Sequence, residues 1–431
     1  MALTIGIDLG TSGCRAACID EQGVLLAEAS AVINMPETGI SGHYRQDPDV
    51  WWQTTIHVLE KLCKHIDTQD VQAICTDGTS STLLLCDNSG APLCQALMYN
   101  DTSSHQAAEQ LQRLIPQNSP AQGSSSSLSK LLALSQQYPQ AHYAMHQADW
   151  ITGKLTGRWG ISDTNNCLKL GYDPVTCQWP KWISQLDFNQ KLLPIVHEPG
   201  SIVGKIQTRL AHQLGLPAQT LILSGTTDST AAFIATGVKQ TGEAVTSLGS
   251  TLVTKIISPA QVTDSQSGVY SHRVFDFWVT GGASNSGGAA LLSIFNLDEI
   301  TALTPLMRPE QATGLDYYPL PGPGERFPFA NPNMQPRMPD TLPANKQARA
   351  VILQGMFESI ARIEADAYKK LYELGAPYPT QVTTVGGGSV NQAWNSIRQR
   401  ILGVSVNQAK YHQASYGVAL LAMKCQGVRI I

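Results

Sequence analysis

The sequence predicts an α/β chain of two domains, and three observations carry that expectation. A length of 431 residues exceeds one ordinary core, because domains run to about 100–200 residues. Apolar strand-like runs alternate along the chain with stretches of helical period. The pattern "IDLGTSGCRAACI" near the start returns as "VTSLGSTLVTKII" past the middle: strand, then Leu-Gly with two hydroxyl residues, then strand. Such an echo predicts two related lobes.

Composition narrows the class. Hydrophobic residues make up 42% of the chain and charged ones 14%, which is enough to fill a core in each domain and leaves no composition for long disordered tails. A formal charge of −4 without any Lys/Arg block lacks the electrostatic footprint of a nucleic-acid or anionic-membrane binder, so a small-molecule partner is expected. No apolar run approaches the roughly 20 residues of a membrane helix. Asp8 interrupts the first apolar stretch, so no signal peptide is readable and a cytoplasmic protein is expected. The nine cysteines form no C-x-x-C pair and their odd number argues against a disulfide framework; they read as reduced thiols.

Taken in order, "LTIGIDLG", "CRAACID" and "VLLAEASAVI" read as three antiparallel strands, with Glu21-Gln22-Gly23 as a hairpin turn. From Pro48 to His65, Trp51, Trp52, Ile56, Leu59 and Leu62 recur at helical spacing. "VQAICTD" and "STLLLCDNSGAPL" read as two further strands. "QGSSSSLSK" (122–130) has a linker-like composition, but the apolar run that follows makes it a loop opening a helix. The domain boundary is expected near 215–222, at Pro217, giving lobes of 1–220 and 221–431. A proline-rich excursion runs from Pro319 to Pro343. The clearest helix spans Ala350 to Leu374, with Ile360, Ile363, Ala367, Leu371 and Leu374 on one face and Gly375 just past its end.

Four segments have the residue types that phosphate or nucleotide chemistry needs. The turn at Gly10 offers backbone amides and the hydroxyls of Thr11 and Ser12 without bulk, and Asp8 at its lip suits a Mg²⁺ ion held with its waters against phosphate. A plain hairpin turn explains D-L-G-T equally well on its own. In "LILSGTTDSTAAFIA" a strand runs through Gly225 to Asp228 at a helix start, where the carboxylate can accept a hydroxyl proton or serve as a simple cap. In "VTTVGGGSVNQAW" three glycines precede Asn391 and Trp394 at a helix start, and "TGGASNSGGAALL" places Gly282 in a similar setting. The chain has no P-loop, no complete G-x-G-x-x-G and no G-x-S-x-G elbow.

In their order these motifs resemble the FGGY family of carbohydrate kinases, within the actin, Hsp70 and hexokinase superfamily. "IGIDLGTSGCRAACID" looks like its first phosphate loop, "YRQDPDVWW" like the segment after its opening sheet, and "DWITGKLTGRWGISDTNN" like its central signature. "LSGTTDSTAAF" looks like the catalytic-base segment, "SLGST" like the second phosphate loop and "GGGSVNQAW" like the adenosine segment. The resemblance implies two ribonuclease-H-like lobes with a cleft between them, closing on ATP and a sugar. It implies Asp228 as general base, Asp8 as organiser of Mg²⁺ and the transferring phosphoryl group, and Thr11 beside them in the catalytic set. Gly10, Ser12, Gly249, Ser250 and Gly282 would hold the nucleotide's phosphates, with Gly387, Gly388, Asn391 and Trp394 facing adenosine.

The substrate follows from the same resemblance. Where xylulose kinases of the family carry Gln-Met-His-Gly and glycerol kinases Arg-Glu, this chain has Thr79, Ser80, Ser81 and Thr82. "LMYNDTSS" resembles the pentulose-kinase stretch W-N-D-G-R, with Asn100 and Asp101 kept and Thr102 and Ser103 in place of Gly-Arg. Small hydroxyl residues look like the short kinases of the family that act on D-ribulose. The resemblance therefore implies a ketopentose phosphorylated on its terminal C5 hydroxyl, D-ribulose first and D-xylulose second, contacted by Asp8, Ser80, Ser81, Asn100, Asp101 and Asp228. A monomer or homodimer without nucleic-acid or membrane partners is expected. The alternative is a nucleotide-switched interaction protein of the actin or Hsp70 kind.

Overall fold

The computed structural model describes residues 2–34 and 41–423. The chain divides into two compact units: one holds the residues up to Ala235 and those from Tyr411 onward, the other Thr236–Lys410.

In the first unit β1 (Leu3–Leu9), β2 (Gly13–Ile19) and β3 (Leu25–Val32) form the expected antiparallel meander. The Asp20 carboxylate accepts from the amides of Gln22 and Val24, and Gly23 takes a left-handed φ of 77°, which fixes the hairpin. Every residue of β1 is buried, whereas β3 alternates between half-buried and exposed as the sheet's edge. Helix α1 (Pro48–Cys63) begins on an Asp47 cap and buries Trp51, Val58, Leu59 and Leu62. β4 (Val71–Gly78) lies parallel to β1. The "STLLLCD" strand does not join this sheet: Leu83–Cys86 pairs with Ala96–Leu97 and Tyr143–His146 in a separate small sheet, flanked by α2 (Ser127–Gln137) and α3 (Gln147–Thr156). After β5 (Ile202–Lys205), β6 (Leu221–Thr227) runs into α4 (Asp228–Ala235). Among the described residues the main sheet has the order β5-β6-β4-β1-β2-β3.

The boundary differs from the expected 220/221. β6 lies parallel to β4 and the Thr220 hydroxyl bonds to Val71 O, so Pro217 marks a turn within the first unit and the break comes after Ala235. β6 pairs with β4 on one side and β5 on the other, and that pairing outweighs the local turn signal.

The second unit repeats the plan. Strands β7 (Glu243–Leu248), β8 (Leu252–Ser258), β9 (Tyr270–Val274) and β10 (Phe277–Ser284) are antiparallel neighbours in the order β9-β10-β8-β7. After short helices at Gly288–Leu292 and Leu297–Leu303, the proline-rich segment holds no helix itself, yet it is anchored, since Leu320 and Phe327 are buried. Helix α5 (Lys346–Glu373) starts four residues before the expected Ala350 because the Asn345 side chain caps it at Ala348 N. β11 (Gln381–Val385) lies parallel to β7, α6 (Gln392–Leu402) follows, and β12 (Ser405–Gln408) lies parallel to β11. Arg398 on α6 and Glu364 on α5 form a fully buried bidentate pair at 2.7 Å, with Thr384 and Thr246 hydroxyls completing the network.

The last described helix, α7 (Ala414–Met423), belongs to the first unit, not to the second as the expected 221–431 lobe has it. Two glycines explain this. A Cβ on Gly6 would stand 2.0 Å from Ser415 O, and one on Gly417 would stand 1.8 Å from Ala231 O. Backbone therefore lies directly on backbone where α7 crosses β1 and α4. Among the described residues the cysteines are free thiols, and no helix is long and apolar enough to cross a membrane.

Candidate functional site

The carboxyl ends of three neighbouring parallel strands gather acids in the first unit, which is where open α/β sheets bind ligands. Asp8 near the end of β1 is in register with Asp77 near the end of β4, and Asp77 with Thr226 on β6, two residues before Asp228. Asp8 is buried, and Arg15 faces it across the hairpin at 3.5 Å. Burial raises the Asp8 pKa, while a hydrogen bond with Asp77 and the Arg15 charge pull it back down. Asp77 is completely buried; desolvation and the charges of Asp8 and Asp228 push its pKa well above the ordinary carboxylate range. Asp228 is half-buried at the first turn of α4, where its carboxylate accepts from Ser229 N at 2.6 Å. Among the described residues no group of three acidic, His or Cys side chains is placed to form a metal cage.

The Gly10 turn has the openness that phosphate needs. Gly10 N bonds to Gly13 O at 2.9 Å, and a Cβ on Gly10 would meet only Gly13 O, at 3.5 Å. Gln46, itself held by the Trp51 indole, braces the turn through Thr11 O, leaving Thr11 half-buried and Ser12 exposed.

Beyond β4 the Thr79–Thr82 turn is built around polar atoms. Gln147 Oε1 accepts from both the amide and the hydroxyl of Thr79. Ser81 has a left-handed φ of 67°, uncommon for a non-glycine, and its buried Oγ has no partner. Buried Asn100 Oδ1, Thr76 Oγ1, Gln147 Nε2 and both Asp77 carboxylate oxygens also lack hydrogen-bond partners within the protein, apart from the contact of Asp77 with Asp8. A polyhydroxy ligand is what such a set can satisfy. Asp101 differs: its carboxylate is engaged by Tyr44 N and by the amide and hydroxyl of Ser103, so it shapes its own turn.

In the second unit a cavity of about 600 Å³ collects Gly249, Ser250, Gly387, Gly388, Asn391 and Trp394, all six anticipated from the sequence. Its other walls include Leu291, Leu297, Ile300 and Val390, an apolar slot edged by backbone and hydroxyls that suits a flat heterocycle with a polar tail. Asn391 caps α6 at Trp394 N and donates to Thr304 Oγ1. Trp394 stacks on Phe357 at 4.4 Å between ring centres, so it reaches the cavity as a wall of the core with that face already covered. Gly282 is not part of the cavity. It sits buried within β10, where Phe327 fills the place a Cβ would take, its ring 2.6 Å away, and this is the reason for glycine there.

The N-terminal domain of the FGGY family of carbohydrate kinases matches residues 3–235, and the C-terminal domain of the same family matches residues 244–425. The chain belongs to the FGGY family of carbohydrate kinases. A xylulose kinase of Staphylococcus epidermidis is 24% identical over 97% of this chain and 87% of its own length, and one of Escherichia coli is 25% identical over 94% and 86%. Among solved structures, a ligand-bound xylulose kinase of Lactobacillus acidophilus has a TM-score of 0.85 at 19% identity, covering 100% of this chain and 90% of that one. A gluconate kinase of the same species has a TM-score of 0.85 at 18% identity over 99% and 90%. Plasmodium falciparum glycerol kinase with ADP has 0.83 at 18% over 98% and 89%. These likenesses carry the two-unit FGGY fold.

Within this FGGY chain, sequence reasoning overlooked Asp77 and Gln147. Asp77 had a readable signal: "CTDGT" ends a buried strand as "GIDLGT" does, placing a second acid at the same level. Gln147 had none, since it is a polar residue on a helix whose bonds to Thr79 reach a turn far away in sequence.

Proposed function

We propose that the chain transfers the terminal phosphoryl group of ATP to the C5 hydroxyl of a ketopentose, D-ribulose before D-xylulose. The observation that carries this reading is the set of buried polar atoms short of partners, Ser81 Oγ, Asn100 Oδ1, Thr76 Oγ1 and Gln147 Nε2, in the unit that holds the Asp8 and Asp228 carboxylates. In this reading the sugar lies against the first unit, with Ser80, Ser81 and Asn100 bonding its hydroxyls. Asp101 acts indirectly, by holding its turn.

Asp228 accepts the proton of the attacking hydroxyl. An ordinary carboxylate suffices, because that proton leaves late in a loose transition state. The fit for Mg²⁺ is a single buried carboxylate, Asp8, whose pKa burial raises while Asp77 and Arg15 offset part of that rise. Magnesium held there would neutralise phosphate charge. Gly10, Thr11 and Ser12 admit the transferring group, while Gly249 and Ser250 hold the nucleotide's phosphates and Gly387, Gly388 and Asn391 border its base in the second unit.

The relatives named xylulose kinase favour D-xylulose as the second reading. The side chains at 79–82 support ribulose instead, since no imidazole or thioether fills that turn. A coupled ADP-release assay over ketopentoses, aldopentoses, gluconate, polyols and glycerol separates the two. The account expects the highest kcat/KM for D-ribulose. Preference for D-xylulose would move the assignment to the second reading, and preference for glycerol or gluconate would overturn both.

A further inference from the structure

Lys130 is a lysine in the wrong place for a surface residue. It lies on α2 among buried Leu128, Leu131, Leu132 and Leu134, is itself fully buried, and forms no ion pair with any described carboxylate. A leucine or methionine would fill the helix face without the desolvation that a buried amine costs. Its nitrogen instead donates to two backbone carbonyls from separate segments, Ser81 O at 2.8 Å and Met98 O at 2.7 Å. Burial pulls its pKa down to about 7 against the attraction of Asp101, and either form of the nitrogen has the two N–H bonds those carbonyls need.

Both segments matter to the sugar. Ser81 is the residue with left-handed backbone in the Thr79–Thr82 turn, and Met98 O also accepts from Asp101 N, closing the turn that carries Asn100. The unpartnered Ser81 Oγ and Asn100 Oδ1 therefore stand on two turns that the Lys130 nitrogen joins, just beyond the strand pairing of Leu83 with Leu97. Gln147 holds only the Thr79 side of the first turn, so it cannot set their spacing.

We infer that Lys130 is a positioning residue for sugar selectivity, fixing the distance between the Ser80–Ser81 and Asn100 contacts by tying their two turns together. This rests on the sugar-kinase reading above. Loosening the tie weakens sugar binding and blurs the choice between ketopentoses that differ at one hydroxyl, while the nucleotide cavity of the second unit is untouched.

The test is Lys130→Met, which keeps length and removes the donor. The expected result is a rise in KM for the preferred ketopentose on the order of tenfold and a fall in the ribulose-to-xylulose kcat/KM ratio, with the KM for ATP within about twofold of wild type. Unchanged sugar KM and ratio in an active variant would overturn the inference, as would equal losses toward sugar and ATP. Should the variant not fold, hydrogen exchange of the wild-type chain decides: D-ribulose should protect the segments around 79–84 and 97–103 together, and protection of one alone would overturn the tie. The two failures are distinguishable. A wild-type chain inactive on every ketopentose removes the sugar-kinase reading, and this inference with it; an active wild type with an indifferent Lys130→Met removes this inference only.

Discussion

Asp8 and Asp77 stand in register on parallel strands β1 and β4, both buried in the first unit, and each carboxyl acts on the protonation of the other. Two carboxyl groups this close cannot both ionise cheaply, so Asp77, the more buried, keeps the proton and donates it to Asp8.

The pairing fixes a pH dependence. Asp77 has a folded pKa well above its unfolded value of about 3.9, so the folded state binds the extra proton as pH rises. Stability from this group is fully present below about pH 4 and is lost as pH climbs toward the folded value. Asp77→Asn cannot ionise and keeps a donor for Asp8. Its melting temperature should gain on wild type between about pH 4 and pH 8, and a gap that narrows over that range would contradict the buried neutral acid.

Asp228→Ala should lower kcat by about 10²–10⁴-fold, the range of a lost general base. Nucleotide binding, followed by calorimetry with ADP, should survive, because the six cavity residues lie in the other unit. Turnover near wild type would remove Asp228 from the chemistry.

Asp8→Asn should cost several kcal/mol in the barrier and weaken the dependence on Mg²⁺ concentration. If activity falls while the magnesium titration keeps its midpoint and amplitude, Asp8 acts other than through the metal.

Adjacent glycines of the second unit should behave differently. A Cβ on Gly387 meets nothing within 4 Å, whereas one on Gly388 would press on Trp394 at 2.8 Å and Leu248 at 2.9 Å. Gly387→Val should therefore melt like wild type and raise the KM for ATP on the order of tenfold, as a side chain in the slot would. Gly388→Val should lower the melting temperature. Equal melting of the two variants would contradict the cavity geometry.

Arg398→Met should destabilise the second unit by about 3–5 kcal/mol in denaturant titration, because it strands the buried Glu364 carboxylate. A loss below about 1 kcal/mol would mean the network is dispensable.

The echo of "IDLGT" and "SLGST" made the two related meanders legible, and the structure repeats them as β1-β2-β3 and β7-β8-β10. The cavity glycines were legible too, since turn chemistry is local. The unit boundary was not, because strand Leu221–Thr227 and helix Ala414–Met423 choose their partners through β4, Gly6 and Gly417, contacts far apart in the chain. Gly282 misled for a related reason: a glycine required by Phe327 looks in sequence like one required by a phosphate. Lys130 shows the converse, a residue with no sequence signature whose place is defined by two carbonyls 49 and 32 positions away.

The central claim is transfer to the terminal hydroxyl of a ketopentose, and the position of the phosphate in the product tests it most directly. Incubation with ATP, Mg²⁺ and C5-labelled D-ribulose, followed by ³¹P and ¹³C resonance, should show phosphorus coupled to C5, with no such product from Asp228→Ala. Phosphate on another carbon, or free inorganic phosphate without a sugar ester, would contradict the account.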